Sequence, residues 1–414
     1  AGFVFGDAGD QNVIKCGRFI GNGSSTGPEI NLGWEPQWIL TKNASADDNW
    51  MIFDAMRGII SDGDDAILKP NANSSETHNY QHLDITPTGF KIKSNNADIN
   101  GDGNTTIYVA IRRPDGYVGK PVEAGTDVFA MDTGNGSSTI PAFDSGFPVD
   151  LGILRKPAAS QSWYTSARLI EGKYLFTDTT AAEASVTAFP FDSNTGWAAL
   201  SNYNTDYQSW MWKRHAGLDC ITYKGNGATG RQIPHSMNKA PEMVWCKARD
   251  FANAGQWNVW HKDLTAGHAI QLNTNDASSS NTGLFSSSNP SSATTMTVGN
   301  SAHTNSSSYN YTMILFASVD GISKCGTYDG SGSTGNAQNI GFQPRFLLIK
   351  RSSSTGDWMQ FNSVGGFGNY MQLNTNQQQN SQTYVNVSST GFSLVSDYGD
   401  TNESGSSYIY YAHA

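Results

Sequence analysis

One acidic loop has residue types and a spacing that are typical of calcium sites. Asp98, Asn100 and Asp102 alternate along the chain and Gly103 follows them, as the oxygen ligands and the turn glycine do at the start of an EF-hand loop. At the twelfth position, where an EF-hand has a bidentate glutamate, the chain has Val109. The pattern therefore matches the first half of a calcium loop and not the second.

A second acidic loop, near the end of the chain, bears on that interpretation. It reads Asp400-Thr-Asn402-Glu403-Ser-Gly405 and precedes an apolar segment, as the first loop does. A hairpin loop before a closing strand accounts for both segments, whereas a calcium site accounts only for the first. We therefore predict a loop without metal ligands at residues 98–104, with calcium binding as the alternative.

The histidines do not form a recognisable metal motif. The eight histidines are scattered, and His261 and His268, which lie close together, have no cysteine or carboxylate at metal-ligand spacing. We predict that they are structural or surface residues.

No segment carries a recognised catalytic motif. No Gly-x-Ser-x-Gly elbow or dinucleotide fingerprint is followed by a predicted helix, and the chain has no Walker loop. The adjacent pairs Asp47-Asp48 and Asp64-Asp65 have side chains that diverge on a strand or are solvated in a loop. We predict a non-enzymatic protein without catalytic residues or a cofactor. Glycoside hydrolysis stays the alternative, because its two carboxylates are matched in space and not in sequence.

Two sets of aromatic residues have the chemistry to stack on sugar rings. The first set recurs at one position of a repeated pattern, which favours a core position over a sugar platform: Trp50, Trp163, Trp257 and Trp358. The second set stands in variable Asn/Ser-rich loops and suits a ligand surface better: Tyr80, Tyr203, Tyr207 and Tyr370.

The repeated pattern that positions these residues occurs four times. In each copy a Cys or Phe stands five residues before a Gly-Asn-Gly or Gly-Ser-Gly turn, at Cys16, Phe129, Cys220 and Cys325. The copies are about one hundred residues apart, which is too long for a solenoid repeat and typical of a small domain. Each copy continues with a Gly-aromatic-x-Pro entry into an apolar strand, a Trp strand, a Thr-Gly-aromatic segment and a closing strand, although the third copy lacks parts of this order. We expect the first and last strands of a copy to pair.

The position shared by Cys and Phe is predicted to be an apolar core site, since free cysteine packs as a small hydrophobe. Four cysteines are too few for a disulfide framework in a chain of 414 residues. Cys246 has no counterpart in the other copies, and a Cys220–Cys246 bridge is not expected.

Short strands, frequent turns and the absence of long amphipathic helices predict an all-β chain of four tandem β-sandwich domains, of the jelly-roll or concanavalin-like type. The predicted bounds are a lead-in segment at 1–12 and domains at 13–122, 123–216, 217–321 and 322–414. The one linker-like stretch is rich in Gly and Pro and runs from Pro114 to Gly125.

The composition excludes some classes of partner. The net charge is −10 and no Lys/Arg cluster is present to neutralise phosphates, so we expect no nucleic-acid partner. No stretch of about 18 apolar residues exists, so we expect no membrane insertion.

The order of these segments resembles a repeated domain of virion and tail proteins of marine bacteriophages, especially those that infect cyanobacteria. Copies one and four carry nearly the whole pattern, from Cys16 and Cys325 through the Trp strand to Thr88-Gly89-Phe90 and Thr390-Gly391-Phe392. The resemblance implies a lectin-like sandwich on the outside of a virion and supplies no catalytic residues. It also implies other virion proteins as partners and a homo-oligomer, since fibres of this class are trimers.

We therefore expect a non-enzymatic tail fibre or appendage that attaches to a host surface glycan by many weak contacts. One alternative is a structural capsid decoration or fibre-shaft protein that binds no receptor. The second alternative is a secreted carbohydrate-binding protein.

Overall fold

A computed structural model describes residues 12–113, 124–252, 255–285 and 289–414. Most of the predicted lead-in at 1–12 and most of the linker-like stretch from Pro114 to Gly125 lie outside the described residues. The described chain is all-β, with separate antiparallel sheets and only short helices. In these ranges no helix has the length and apolar character that crossing a membrane requires.

The first set of strands forms two facing sheets. In chain order the elements are β1 (Ile14–Ile20), β2 (Glu29–Asn31), β3 (Pro36–Asn43), β4 (Met51–Asp54), β5 (Leu83–Thr86), β6 (Gly89–Ile92), α1 (Ala97–Asn100) and β7 (Thr105–Arg112). The large sheet, called sheet 1, has the order β1-β7-β3-β4, and the small sheet has the order β2-β6-β5. Apolar side chains of both sheets meet in one interior cluster that includes Phe53, Phe90 and Ala110.

The second set follows a 3₁₀ turn at Gly125–Asp127. Its strands are β8 (Phe129–Thr133), β9 (Phe143–Asp144), β10 (Leu151–Arg155), β11 (Tyr164–Ala167), β12 (Lys173–Phe176), β13 (Ala184–Ser185), β14 (Gly196–Trp197) and β15 (Gln208–Trp212), with a 3₁₀ turn at Arg168–Ile170. Sheet 2 has the order β13-β12-β11-β10-β15-β8, and β14 pairs with β9.

The third set repeats this order. Its strands are β16 (Leu218–Lys224), β17 (Arg231–Pro234), β18 (Met243–Ala248), β19 (Trp257–His261), β20 (His268–Gln271), β21 (Ser279–Ser280), β22 (Thr295–Val298) and β23 (Asn310–Phe316). Sheet 3 has the order β16-β23-β18-β19-β20-β21, and β17 pairs with β22.

The fourth set ends at the C-terminus. Its strands are β24 (Ser323–Asp329), β25 (Asn336–Asn339), β26 (Phe346–Arg351), β27 (Trp358–Asn362), β28 (Asn369–Gln372), β29 (Asn380–Ser381), β30 (Val385–Ser388), β31 (Gly391–Leu394) and β32 (Ser407–His413). Sheet 4 has the order β24-β32-β26-β27-β28-β29, and the small sheet has the order β25-β31-β30.

The predicted pairing of first and last strands is confirmed in every set: β1 with β7, β8 with β15, β16 with β23 and β24 with β32. The repeated turn follows each first strand, and its last glycine has a left-handed backbone, with φ from 62° at Gly23 to 74° at Gly227. Side chains other than glycine adopt this conformation at a cost, which explains why the turn is repeated so closely.

Sheets 2, 3 and 4 share a core that the sequence does not predict. Their outer faces, which point away from their own interior clusters, pack against one another in one continuous cluster. Aromatic rings meet across it, with centroids 5.7 Å apart for Phe129 and Phe346 and 4.7 Å apart for Phe316 and Tyr411. Strands such as Leu151–Arg155 are consequently buried on both faces.

Sheet 1 does not belong to this shared core. Its strand set contacts the others through buried ion pairs, in which Arg214 pairs with Glu35. Asp219 Oδ1 lies 3.1 Å from Arg214 Nε and accepts from Arg113 Nη2 at 3.4 Å. Buried charges need such partners, because an unpaired charge away from water is strongly destabilising. The contact fixes sheet 1 beside the body formed by residues 129–414.

Candidate functional site

The repeated tryptophans are core residues in sheets 2, 3 and 4. Trp163, Trp257 and Trp358 are almost fully buried within the shared core, which confirms the predicted core position there. Trp50 is only half-buried, so the prediction is wrong for the first copy. The reason is that no neighbouring sheet covers the outer face of sheet 1 among the described residues.

The loop tyrosines are not a common ligand surface. Tyr80 is exposed, but Tyr203 is buried in an interior cluster and stacks on Phe189 with ring centroids 6.0 Å apart. Tyr207 and Tyr370 are half-buried. The interpretation as a ligand surface is wrong for Tyr203, whose carbonyl accepts from Gly136 and so anchors the repeated turn.

The side chain of Asn100, the middle residue of the acidic loop at 98–104, is already hydrogen-bonded to other parts of the fold. It lies buried in α1, and its amide donates to Asn22 Oδ1, Ser24 O and Ser94 O at 2.8–3.0 Å. Its Oδ1 accepts from the backbone N–H of Asn22 at 2.9 Å. Asn305 and Asn402 make the same kind of bonds to the turns of their own sets. The repeated asparagine thus fastens the turn to the last loop, and no group of three or more His, Cys, Asp or Glu suited to a metal occurs in the described ranges.

The cysteine position is a core site in only part of the chain. All four cysteines are free, and Cys220 and Cys325 are buried in the shared core, as predicted. Cys16 is exposed, so the prediction is wrong for the first copy. In sheet 2 the residue that occupies the cysteine position, judged by cross-strand pairing, is Met131. The reason is that β8 and β15 are shifted by two residues relative to β10 when their register is compared with that of sheet 4.

The other candidate residues are structural. His261 is buried and its Nδ1 accepts from the backbone N–H of Asp263 at 3.2 Å. Asp65 is buried and accepts from the backbone N–H groups of His82 and Leu83, and burial raises its pKa to about 8. Asp64 is exposed beside it, so the two side chains diverge as expected.

The candidate binding site is a cleft of about 440 Å³ between the first and third strand sets. One wall is the outer face of the small sheet β2-β6-β5, and the other is formed by β16 and β17 with their flanking loops. Neither wall contains a residue that the sequence analysis proposed for catalysis, metal binding or ligand binding. The cleft exists because the chain places sheet 1 beside sheet 3, and a sequence pattern within one copy carries no signal of that contact.

The cleft is rich in positive charge. Five cationic side chains and three acidic ones line it among the described residues: Lys91, Lys93, Lys224, Arg231 and Arg249, with Glu29, Asp62 and Asp84. This excess occurs in a chain whose net charge is −10. An excess of one sign of charge in a cleft favours ligands of the opposite sign.

Two of these cations are held by carboxylates. Lys93 Nζ lies 2.8 Å from Asp62 Oδ1 and 3.0 Å from Asp84 Oδ2. Burial lowers the pKa of Lys93, but the two carboxylates outweigh it and raise that pKa above its ordinary value. Arg249 Nε lies 2.7 Å from Glu183 Oε2. These two side chains stiffen the floor of the cleft and have little charge left to offer a ligand.

The remaining cations have no carboxylate within 4.0 Å in the described ranges. Arg231 donates to Asn305 Oδ1 at 3.1 Å and lies 5.5 Å from the ring centroid of Tyr223. Lys224 Nζ donates to the Ser308 carbonyl at 3.1 Å, and Lys91 has no side-chain partner in the same ranges. Thr26 and Thr88 line the cleft beside them. The arrangement offers cations and hydroxyls, which suits a ligand with both carboxylates and hydroxyl groups.

Comparison with known proteins identifies a family for almost the whole chain. A protein-family model described as a domain of unknown function, DUF7483, matches residues 8–113 and 129–414. A search of curated proteins found no match. The two matched segments correspond to the set of sheet 1 and to the body that contains sheets 2, 3 and 4. The chain therefore belongs to the DUF7483 family.

Proposed function

We propose that this chain is a non-enzymatic virion surface protein, part of a tail fibre or similar appendage, that attaches to acidic polysaccharide on a host surface. Four tandem β-sandwich domains, with the bounds predicted from the sequence, form its framework. The order of the repeated segments supports the virion assignment by resemblance. The single observation that carries the ligand class is the cationic, hydroxyl-lined cleft.

The chemistry of the cleft favours an acidic sugar over a neutral one. Lys91, Lys224 and Arg231 are placed to pair with uronic or similar carboxylates, and the neighbouring threonines suit sugar hydroxyls. Tyr223, which Arg231 already contacts, supplies an aromatic wall. Charge also accelerates encounter, although the gain falls as ionic strength rises.

Binding of the purified chain to host capsular or outer-membrane polysaccharide tests this function. The double variant Lys91→Ala/Lys224→Ala should bind an acidic polysaccharide about tenfold more weakly, since charged hydrogen bonds to the ligand are lost. The Kd is measured by titration at low and at physiological salt. The matched control is Lys239→Ala, which removes an exposed lysine outside the cleft.

The purified chain should also compete with host adsorption, and the double variant should compete less. Equal binding by the wild type and the double variant would exclude the cleft. No binding by the wild type, with no competition, would favour the structural alternative of a capsid decoration or fibre shaft. New reducing ends in the polysaccharide would instead show an enzyme.

A further inference from the structure

The outer face of sheet 1 is mainly apolar, with Arg18, Lys42 and Asp54 as its charged residues. Its apolar part lies outside every core cluster among the described residues. Side chains alternate between the faces of a strand, and the apolar residues on this face are Ile14, Cys16, Ile20, Trp38, Leu40, Ile52, Ile107, Val109 and Ile111. None of them is fully buried, and Ile14 is 54% and Ile20 53% exposed. Apolar surface of this extent on one sheet face marks an interaction site.

The same face is covered in sheets 2, 3 and 4, where it forms the shared core. The residues of sheet 1 have equivalents by cross-strand register, which show what covers such a face. The row Cys16, Val109 and Leu40 corresponds to Cys220, Ile314 and Trp245 in sheet 3 and to Cys325, Tyr411 and Leu348 in sheet 4. Each of these equivalents lies in the shared core.

The repeated tryptophans show how the three faces are joined. Trp163 Nε1 of sheet 2 donates to the Gln372 carbonyl of sheet 4 at 2.9 Å. Trp358 Nε1 of sheet 4 donates to the Gln271 carbonyl of sheet 3 at 3.0 Å. The third bond runs from Trp257 Nε1 of sheet 3 to the Phe176 carbonyl of sheet 2, at 2.7 Å.

These three bonds close a ring. Each sheet donates to the next, and the three acceptors occupy equivalent positions at the end of the fifth strand. A head-to-tail contact of this kind either closes or continues as a filament. Here the ring of contacts closes after three sheets. The outer face of each of these sheets therefore packs against the outer faces of two others of the same type.

Sheet 1 contains the equivalent tryptophan and the equivalent carbonyl, and the same local hydrogen bond holds its tryptophan. The backbone N–H of Trp50 donates to Asn71 Oδ1 at 3.0 Å, as Trp257 donates to Asn273 and Trp358 to Asn374. The indole N–H of Trp50 has no partner in the described ranges. The carbonyl equivalent to the three acceptors belongs to Lys69, by the bridge between Ile52 and Leu68.

Basic side chains also form hydrogen bonds between these strand sets. Lys350 Nζ of sheet 4 donates to the Asn275 carbonyl of sheet 3 at 3.1 Å, and Arg155 Nη2 of sheet 2 donates to the Gln377 carbonyl of sheet 4 at 2.6 Å. Lys42 occupies this position in sheet 1 and donates only to carbonyls of its own loop, at Asn43 and Ala46. The loop that would receive it in a neighbouring copy contains Asn73.

We propose that this face binds two further copies of the chain, so that three copies of sheet 1 close the ring that sheets 2, 3 and 4 close within one chain. In the homotrimer the Trp50 indole of one copy donates to the Lys69 carbonyl of the next. Lys42 reaches the loop at Asn73 of the same neighbour, and Cys16 lies inside the new core. The trimer also carries three clefts, which multiplies weak ligand contacts.

Sedimentation equilibrium of the full chain tests the proposal. We expect the wild type to be a trimer that dissociates on dilution. Ile14→Glu, which changes a residue that is 54% exposed and pairs with Ile111 across the sheet, should yield a folded monomer because three buried carboxylates would otherwise meet without partners. Trp50→Phe, which removes the indole donor and leaves a smaller ring, should weaken trimerisation about tenfold or more. The matched control is Val364→Glu, at an exposed apolar residue outside this face.

The reactivity of Cys16 with a thiol reagent gives a second measurement. Cys220, Cys246 and Cys325 are buried already, so one thiol per chain should react rapidly in the Ile14→Glu monomer and none in the wild-type trimer. A wild type that stays monomeric up to about 100 μM, a concentration that populates even weak oligomers, overturns the proposal. So does an oligomer in which Cys16 reacts as fast as in the monomer, or one that Val364→Glu dissociates as readily as Ile14→Glu.

Discussion

Buried neutral histidines make the stability of this protein depend on pH. His215, His261 and His413 are buried, and burial lowers the pKa of each to about 3. In an unfolded chain the pKa of histidine is about 6.5. Between about pH 6.5 and pH 3 the unfolded chain therefore binds protons that the folded chain does not. The free energy of unfolding contributed by these residues is fully present above pH 6.5 and falls as the pH is lowered.

The variant His261→Asn tests this argument at one residue. Asn362 occupies the equivalent position in sheet 4 and is also buried, so asparagine fits the fold there. Removing the titrating ring should reduce the pH dependence of the free energy of unfolding by about 1.4 kcal/mol per pH unit between pH 6.5 and pH 3. Urea unfolding at pH 7, 6, 5 and 4 measures it. His78→Asn, at an exposed ring, is the control, and an unchanged slope in His261→Asn would contradict the prediction.

Single residues in this chain were predictable where their surroundings lie within one copy. The repeated turn glycines, for example Gly23, and the free state of Cys246 follow from local chemistry, and the structure confirms both. Cys16 and Cys325 have the same sequence context but opposite burial. Their difference comes from what packs on the sheet. Arg18, two residues after Cys16 on the same face, stands where the fourth copy has Thr327.

At the level of strands, the Trp strand is the element that connects one sheet to the next. We expect Trp358→Phe to lower the free energy of unfolding by about 2–3 kcal/mol. The Gln271 carbonyl would lose its donor in a buried contact, and a smaller ring would leave a gap. Urea unfolding measures the change.

The repeat supplies a matched control for this element. Trp50→Phe changes the equivalent residue, whose indole bonds to nothing in the described part of the chain, and should cost less than about 1 kcal/mol in the dilute monomer. Equal losses for the two variants would mean that the bond between sheets contributes no stability.

The strands and turns were predictable because each has a local cause. Proline before the apolar strand, glycine in the turn and asparagine in the last loop act within one copy. The pairing of first and last strands also involves only one copy. The packing of sheets 2, 3 and 4 has no such cause within a copy. The only sequence signal of this packing is a continuous apolar run in strands such as Met243–Ala248. Such a run is equally consistent with a strand buried in an ordinary sandwich.

At the level of the whole molecule, the shared core makes residues 129–414 one body. Sheets 2, 3 and 4 each have an interior cluster, and among the described residues their outer faces are covered by one another. Removal of one sheet would expose large aromatic side chains of the other two, for example Phe346 and Trp212. The three strand sets should therefore unfold together, whereas sheet 1 with its own interior cluster can open separately.

Hydrogen exchange of two core variants distinguishes these two bodies. Ile314→Ala removes a side chain from the shared core and should cost about 2–5 kcal/mol. Amide exchange should then accelerate in the strands of sheets 2, 3 and 4 together, although the substitution lies in sheet 3 alone. Phe90→Ala, in the interior cluster of the first set, should accelerate exchange within residues 14–112 and leave the shared core protected. Acceleration confined to residues 218–316 in Ile314→Ala would mean that each sheet opens by itself and that the shared core is a contact between independent domains.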